Sequence, residues 1–228
     1  PENAIPYINQ KGLVDRNNNP KDAFYVFKSY WNDTTPFAYI ESHTWTERQG
    51  PKGLKRAVSV YSNCPEVELF LNGKSMGTKK RNTKSFPAAG LNWNVSFTDG
   101  ENVLEAVGKT TSGIEVTDKL KVNYRFTKNG TAKSLALVYT QLENGNYLVT
   151  ATARDKNGLR VLDFEERVYF QCLSGGNTHK AMGTPTGSEV IEMANGRASI
   201  EVVRAHKNIP LKMMVLSQNF KGTYLTIK

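Results

Sequence analysis

The stretch ESHTWTERQGP, residues 41–51, concentrates side chains whose types could do chemistry. It contains two carboxylates, Glu41 and Glu47, and paired carboxylates can divide general acid and general base work between them. They stand six positions apart, one on a predicted strand and one on the loop that follows it. No other residue pattern around them supports a catalytic pair. We therefore predict no catalytic residue in this chain.

The same loop carries an aromatic and a cationic side chain that could contact a sugar. Trp45 could stack on a sugar ring while Arg48 donates hydrogen bonds to its hydroxyl groups. These side chains could instead fill a joint between domains, or serve neither role, and the sequence leaves these alternatives open. Trp45 and Arg48 are the predicted carbohydrate-binding residues, and Tyr61 is a further candidate.

The spacing of metal-binding residue types does not indicate a metal or cofactor. Three histidines, His43, His179 and His206, lie far apart and in no metal-ligand spacing. The two cysteines, Cys64 and Cys172, fall in different predicted domains, which favours free buried thiols over a disulfide. We predict no metal site and no cofactor.

The formal net charge of +9 is spread along the chain, with one dense basic cluster in residues 79–84. No nucleic-acid-binding motif accompanies this cluster, so we interpret it as a solvated hairpin tip and predict no nucleic-acid partner. No apolar run approaches the ~20 residues of a membrane span. The first ten residues, PENAIPYINQ, also lack the basic start and apolar core of a signal peptide.

Residues 19–31, NPKDAFYVFKSYW, predict one amphipathic helix. Asn19 suits the N-cap, Pro20 the first helical position and Asp22 the positive helix end. Helical spacing predicts an apolar stripe of Ala23, Val26, Phe27 and Tyr30, widened by Phe24 and Trp31. Because this stripe is too aromatic to be left in water, it needs a partner surface. Left exposed, it would favour self-association.

From residue 37 the apolar period changes to two, which predicts about seven short antiparallel strands before residue 126. In EVELFLNGKSMGTKK, apolar and polar residues alternate, and Asn72-Gly73 supplies a tight hairpin turn. In LNWNVSF, alternation places Leu91, Trp93, Val95 and Phe97 on one face. This pattern is typical of an immunoglobulin-like sandwich.

The polar stretch TKNGTAKS, residues 127–134, predicts a linker before seven further strand-like segments. DKNG, residues 155–158, predicts a β-turn, because the bidentate Glu of a calcium loop does not follow. The predicted fold is all-β, with two immunoglobulin-like antiparallel β-sandwiches in tandem after one α-helix. Its predicted domains are residues 1–33 with the loop and helix, 34–128 with the first sandwich and 129–228 with the second.

Several segments resemble the C-terminal part of glycoside hydrolase family 2 enzymes, in particular the bacterial β-galactosidase-like members. They are KGLVDRNNNPKDAFYVFKSYW, ESHTWTER, VYSNCPEVELFLNGKSMG, FPAAGLNWNVSF and GENVLEAVG. In that family the first segment follows the last strand of a catalytic (β/α)₈ barrel and forms its last helix. Gly12, Leu13 and Asp15 match the loop, and Pro20, Lys21, Asp22, Tyr25 and Trp31 match the helix. Beyond Lys133, the segment ATARDKNG is similar to bacterial immunoglobulin-like domains.

The resemblance implies that the helix packs on a catalytic barrel upstream in the same polypeptide. It also implies that both catalytic glutamates of a retaining glycosidase lie in that barrel. We therefore expect a non-catalytic accessory region of an enzyme that hydrolyses β-galactoside-type bonds in carbohydrate catabolism, inactive by itself. A periplasmic or extracellular location is expected, since polymer-degrading family members are commonly exported.

Two other functions stay open at this point. A carbohydrate-binding module would use Trp45 and Arg48. An adhesion-like spacer would use residues 129–228, because similar domains occur as repeats in adhesins.

Overall fold

The computed structural model describes residues 12–14, 18–179, 189–206 and 208–228, and every structural statement below concerns these residues. They form one helix and sixteen strands, an almost entirely β architecture, as predicted. The elements are α1 (Asp22–Trp31), β1 (Ala38–Ile40), β2 (Glu47–Gln49), β3 (Arg56–Ser62), β4 (Glu66–Leu71), β5 (Lys74–Lys80), β6 (Asn92–Val95), β7 (Gly100–Lys109), β8 (Glu115–Arg125), β9 (Ser134–Gln141), β10 (Tyr147–Arg154), β11 (Arg167–Ser174), β12 (Gly176–Thr178), β13 (Val190–Glu192), β14 (Arg197–Arg204), β15 (Leu211–Ser217) and β16 (Phe220–Ile227). They divide into two compact units, one ending at Lys128 and the other running from Asn129 to Lys228.

The first unit is a sandwich of two sheets. One sheet has the strand order β1-β3-β6 and the other β2-β8-β7-β4-β5. Their inner faces share one apolar core, because residues along each strand alternate between the core and the solvent. Trp93 on β6 is buried in this core, and its indole Nε1 donates a hydrogen bond to the Gly77 carbonyl at 2.9 Å. The predicted alternation around Trp93 is therefore confirmed.

The β4–β5 hairpin has the predicted turn at Asn72-Gly73. Both residues have positive φ, +52° and +76°, which a tight primed turn requires. Strand β5 is the edge strand of its sheet, and it presents lysines to solvent on both sides of a register shift in its pairing with β4.

Helix α1 begins two residues later than the N-terminal signals predict. Lys21, in extended conformation, precedes the first helical residue, and no side chain caps this end. The Lys21 N–H donates to the Leu13 carbonyl at 2.9 Å, and Pro20 pairs with Val14 in an isolated bridge. The chain therefore stays extended through Lys21, and the predicted roles of Asn19 and Pro20 are wrong.

The helix seats a different face from the predicted stripe. Val26 and Ser29 are its buried residues, and Val26 packs with Tyr61 and Ala88 of the first sandwich. Ala23 is exposed and Trp31 is 73% exposed. The sandwich thus covers one side of α1 and leaves much of the aromatic side open.

Arg81 fastens the helix to the sandwich from the other direction. Its guanidinium donates to the carbonyls of Ser29 in α1 and Ser62 in β3, and it lies over the Tyr30 ring. The basic cluster at 79–84 is therefore no hairpin tip at Arg81. The side chain is half-buried there because it satisfies carbonyls that would otherwise lack donors.

The second unit is also a sandwich, with sheets ordered β12-β14-β10-β9 and β13-β11-β15-β16 around a separate apolar core. DKNG forms the predicted turn, and Asp155 holds it together. The Asp155 carboxylate accepts hydrogen bonds from the backbone N–H groups of Asn157, Leu159 and Gly130 at 2.8, 3.0 and 3.0 Å. Its side chain is buried, because these donors replace its water.

Both cysteines are free thiols, as the sequence predicts. Cys64 is buried, whereas Cys172 is half-buried, and burial raises its pKa. In the described ranges, no helix is long and apolar enough to cross a membrane.

Candidate functional site

A small pocket in the first sandwich brings together both predicted carbohydrate-binding residues. Its volume is about 130 Å³. It is lined by Ile40, Glu41, Ser42, Trp45, Arg48, Ala57, Val58, Ser59 and Leu104. Strands β1, β2, β3 and β7 supply all of these residues except the three from the loop between β1 and β2.

Trp45 lies at the loop tip with its side chain in the open. The residue is 54% exposed, although tryptophan usually buries most of its surface. Its backbone carbonyl accepts a hydrogen bond from Arg48 Nε at 2.8 Å. The indole is therefore held beside the guanidinium rather than in the core.

Arg48 lies on a strand that sequence reasoning places in a loop. Strand β2 has three residues and pairs in parallel with β8, where Arg48 is opposite Tyr124. Burial lowers the Arg48 pKa, Glu41 opposes this, and Arg56 adds to it. Its guanidinium lies 5.9 Å from the Phe97 ring centroid. Within the part of the chain that the structure describes, its two terminal nitrogens donate to no protein acceptor.

Glu41 is the acidic residue of the pocket. Its Oε1 accepts a hydrogen bond from the Tyr61 hydroxyl at 2.8 Å. Tyr61 is buried and packs with Val26, so it cannot serve as an exposed platform for a sugar. The further candidate Tyr61 therefore holds Glu41 in place instead of contacting ligand.

Glu47 has a different partner from Glu41. Its Oε2 accepts a hydrogen bond from Asn123 Nδ2 on β8 at 3.0 Å, and Glu47 does not line the pocket. The structure thus agrees with the prediction that these two glutamates form no catalytic pair.

Two aspartates from distant elements fix the loop that carries Trp45. Asp22 on α1 accepts hydrogen bonds from the Tyr39 hydroxyl at 2.7 Å and from the Ser42 N–H at 3.1 Å. Asp118 on β8 accepts from the Ile40 N–H at 2.7 Å and contacts the His43 ring at 2.7 Å. No sequence pattern links residues 22, 118 and 42, so sequence reasoning missed both aspartates.

Ser42 sits between these anchors in a left-handed conformation, with φ of +68°. This conformation costs a non-glycine residue roughly 1–2 kcal/mol. The surrounding hydrogen bonds hold it there, and such strained residues cluster at ligand-binding sites.

An aromatic stack supports the loop from below. The Tyr25 and Tyr39 rings stack at a centroid distance of 3.5 Å, and the His43 ring stacks on Tyr39 at 4.5 Å. His43 is thereby a structural residue of the loop. In the described residues, no group of three or more His, Cys, Asp or Glu side chains could hold a metal ion.

Tyr39 and Tyr61 are expected to ionise later than ordinary tyrosines. Burial raises the pKa of both, and their hydrogen bonds to Asp22 and Glu41 raise it further. A raised folded-state pKa means that this stabilisation is complete below the unfolded-state pKa of about 10. It is lost as the pH rises from there towards the folded-state pKa. The measurement is an alkaline titration of phenolate absorbance on the folded chain. A late phase should shrink in Tyr39→Phe and in Tyr61→Phe, and an unchanged titration in both variants would contradict the expectation.

Comparisons with known proteins identify relatives of the whole chain. The family model described as "Domain of unknown function (DUF4982)" matches residues 53–117. A Formosa agariphila protein that bears the name "Putative beta-glucuronidase" is 73% identical over the full chain, which covers 28% of that protein. A Bacteroides ovatus protein named "Beta-galactosidase BoGH2A" is 34% identical over 39% of this chain and 10% of its own length.

A solved structure shows the same fold throughout. The Parabacteroides merdae β-glucuronidase matches with a TM-score of 0.84 and 38% identity, over 100% of this chain and 28% of that one. The chain spans under a third of the relatives that it matches over its full length. The chain therefore corresponds to a C-terminal region of glycoside hydrolase family 2 enzymes, whose relatives here are β-glucuronidases and a β-galactosidase.

Proposed function

We propose that this chain is the non-catalytic accessory region of a longer glycosidase that hydrolyses β-glucuronides. The observation that carries the proposal is the match to the Parabacteroides merdae β-glucuronidase, over 100% of this chain and only 28% of that protein. Retaining glycoside hydrolysis needs two carboxyl groups about 5–5.5 Å apart. In the pocket described above, Glu41 has no such partner.

The β-glucuronide replaces the β-galactoside that the sequence resemblance suggests. The relative at 73% identity and the solved structure at 38% both carry the name β-glucuronidase. The β-galactosidase relative matches a shorter part of the chain, at 34% identity. Higher identity over a longer stretch supports the glucuronide.

The second face of α1 supports a bracing role. Successive helical residues are about 100° apart, so Phe24, Phe27 and Trp31 project away from the face that holds Val26 and Ser29. The Phe27 and Trp31 rings lie 4.8 Å apart, and Trp31 is largely exposed. In our proposal this second face packs on the catalytic barrel, and α1 couples the barrel to the first sandwich.

The proposal is tested in two settings with p-nitrophenyl β-glucuronide. The 228-residue chain alone should give no turnover of this substrate or of the β-galactoside. In the longer parent polypeptide, replacing Phe27 and Trp31 by serine should lower the thermal midpoint of activity by several degrees, because it removes buried apolar area between helix and barrel.

Tyr224→Ser is the matched control, since Tyr224 is an exposed aromatic residue of the second sandwich, 67% accessible. It should leave the midpoint unchanged. Turnover that copurifies with the isolated chain would overturn the non-catalytic assignment. Equal midpoints for the double variant and the control would overturn the bracing role.

A further inference from the structure

We propose that the pocket around Trp45 and Arg48 binds a single uncharged sugar ring. Trp45 covers one face of the ring, and neighbouring hydroxyl groups bridge Glu41 and Arg48. This binding activity goes beyond the bracing role, and it needs no residue of the catalytic barrel.

The charges in the pocket favour a neutral ligand with adjacent hydroxyl groups. Glu41 and Arg48 line the same cavity, yet they form no ion pair with each other among the described residues. Glu41 offers an acceptor, and Arg48 offers its terminal N–H groups. A pair of adjacent hydroxyls can donate to the first and accept from the second at the same time. A ligand carboxylate would gain Arg48 but would face the Glu41 charge without a proton to share.

The apolar surfaces of the pocket suit the C–H face of a sugar. Ile40, Val58 and Leu104 line its inner part, and Trp45 stands exposed at its rim. Its volume of about 130 Å³ is below the roughly 300–1,000 Å³ of pockets for drug-sized ligands. The space therefore fits one ring, with any further sugar units outside the cavity.

The loop is organised for binding before a ligand arrives. Asp22 and Asp118 hold it from two elements, and the strained Ser42 is maintained between them. A purely connecting loop has no need for such anchoring. Fixing contact residues in advance lowers the entropy cost of binding. The two aspartates and Tyr61 are thus positioning residues, whereas Trp45, Arg48 and Glu41 contact the sugar.

The test is a titration of the 228-residue chain with methyl β-glucopyranoside and, separately, with methyl β-glucuronide. Nuclear magnetic resonance follows the indole N–H of Trp45 and the guanidinium of Arg48. The neutral glycoside should shift both signals saturably, and the glucuronide should bind at least roughly tenfold more weakly, a difference of about 1.4 kcal/mol. Trp45→Ala and Arg48→Ala should each abolish the response.

Trp31→Ala is the matched control, because Trp31 is an exposed tryptophan that does not line the pocket. It should bind the neutral glycoside as the unchanged chain does. Arg48→Lys keeps the charge but loses the two-pronged donor geometry, so it should bind weakly rather than not at all.

Three results would overturn the inference: no shift with either glycoside, preference for the glucuronide, or equal loss of binding in Trp31→Ala. Backbone spectra of each variant show whether its fold is retained, so that lost binding is assigned to the pocket. Since the readout is binding to the isolated chain, failure here leaves the bracing role standing, and failure of that role leaves this site standing.

Discussion

Replacing Asn102 by aspartate is expected to lower the free energy of unfolding of the first sandwich by about 3 kcal/mol. Asn102 on β7 is fully buried. Its Nδ2 donates to the carbonyls of Thr98 and Gly100 at 2.8 and 2.9 Å, while its Oδ1 accepts from the Thr98 N–H at 2.9 Å. Aspartate has nearly the same shape but would place a charged oxygen against two carbonyls. A buried charge that faces acceptors is strongly disfavoured.

Tryptophan fluorescence during urea unfolding measures this change selectively. The three tryptophans, Trp31, Trp45 and Trp93, all precede the boundary at Lys128, so their emission reports the first unit. The control is Asn92→Asp, at an exposed position on β6, which should shift stability by less than about 0.5 kcal/mol. Equal midpoints for the Asn102 and Asn92 variants would refute the proposed importance of this amide.

Replacing Asp155 by alanine should destabilise the second sandwich by a similar amount, about 3 kcal/mol. The variant leaves three backbone N–H groups, those of Asn157, Leu159 and Gly130, without the carboxylate that now accepts from them. Each buried donor without a partner costs roughly 1–3 kcal/mol, and water that enters the turn recovers part of that cost. Hydrogen exchange of β9 and β10, followed by mass spectrometry, measures the loss.

The neighbouring Lys156 provides the control for this variant, because it is exposed in the same turn. Lys156→Ala should leave the exchange of β9 and β10 unchanged. The tryptophan transition should stay in place in Asp155→Ala if each sandwich unfolds by itself. A tryptophan transition that moves with the exchange would show that the two sandwiches unfold as one cooperative unit.

Patterns of nearest neighbours made much of this fold predictable. The turn at Asn72-Gly73 requires positive φ, and asparagine followed by glycine satisfies that requirement locally. The burial of Trp93 follows from a two-residue period that a half-buried strand imposes. Strands β2 and β12 escaped prediction, because three residues are too few to show a period.

Long-range hydrogen bonds explain what could not be predicted. The start of α1 depends on the bond from Lys21 to Leu13, which overrides the preferences of Asn19 and Pro20. The same limit applies to the site. Trp45 and Arg48 stand out by residue type, and the pocket does unite them. The anchor Asp118 lies on β8, far along the chain, and only the folded sheet brings it to Ile40 and His43.

The exposed lysines of β5 have a consequence for how the first sandwich meets other molecules. An edge strand carries unpaired N–H and C=O groups, which can recruit a strand from another chain and seed a growing aggregate. On β5, Lys74, Lys79 and Lys80 project from this free edge, and the register shift opposite β4 disturbs its regularity. A second copy that approached this edge would bring the same positive charges with it. The lysines thereby act as gatekeepers, which repel like strands and keep the sheet from extending beyond its fifth strand.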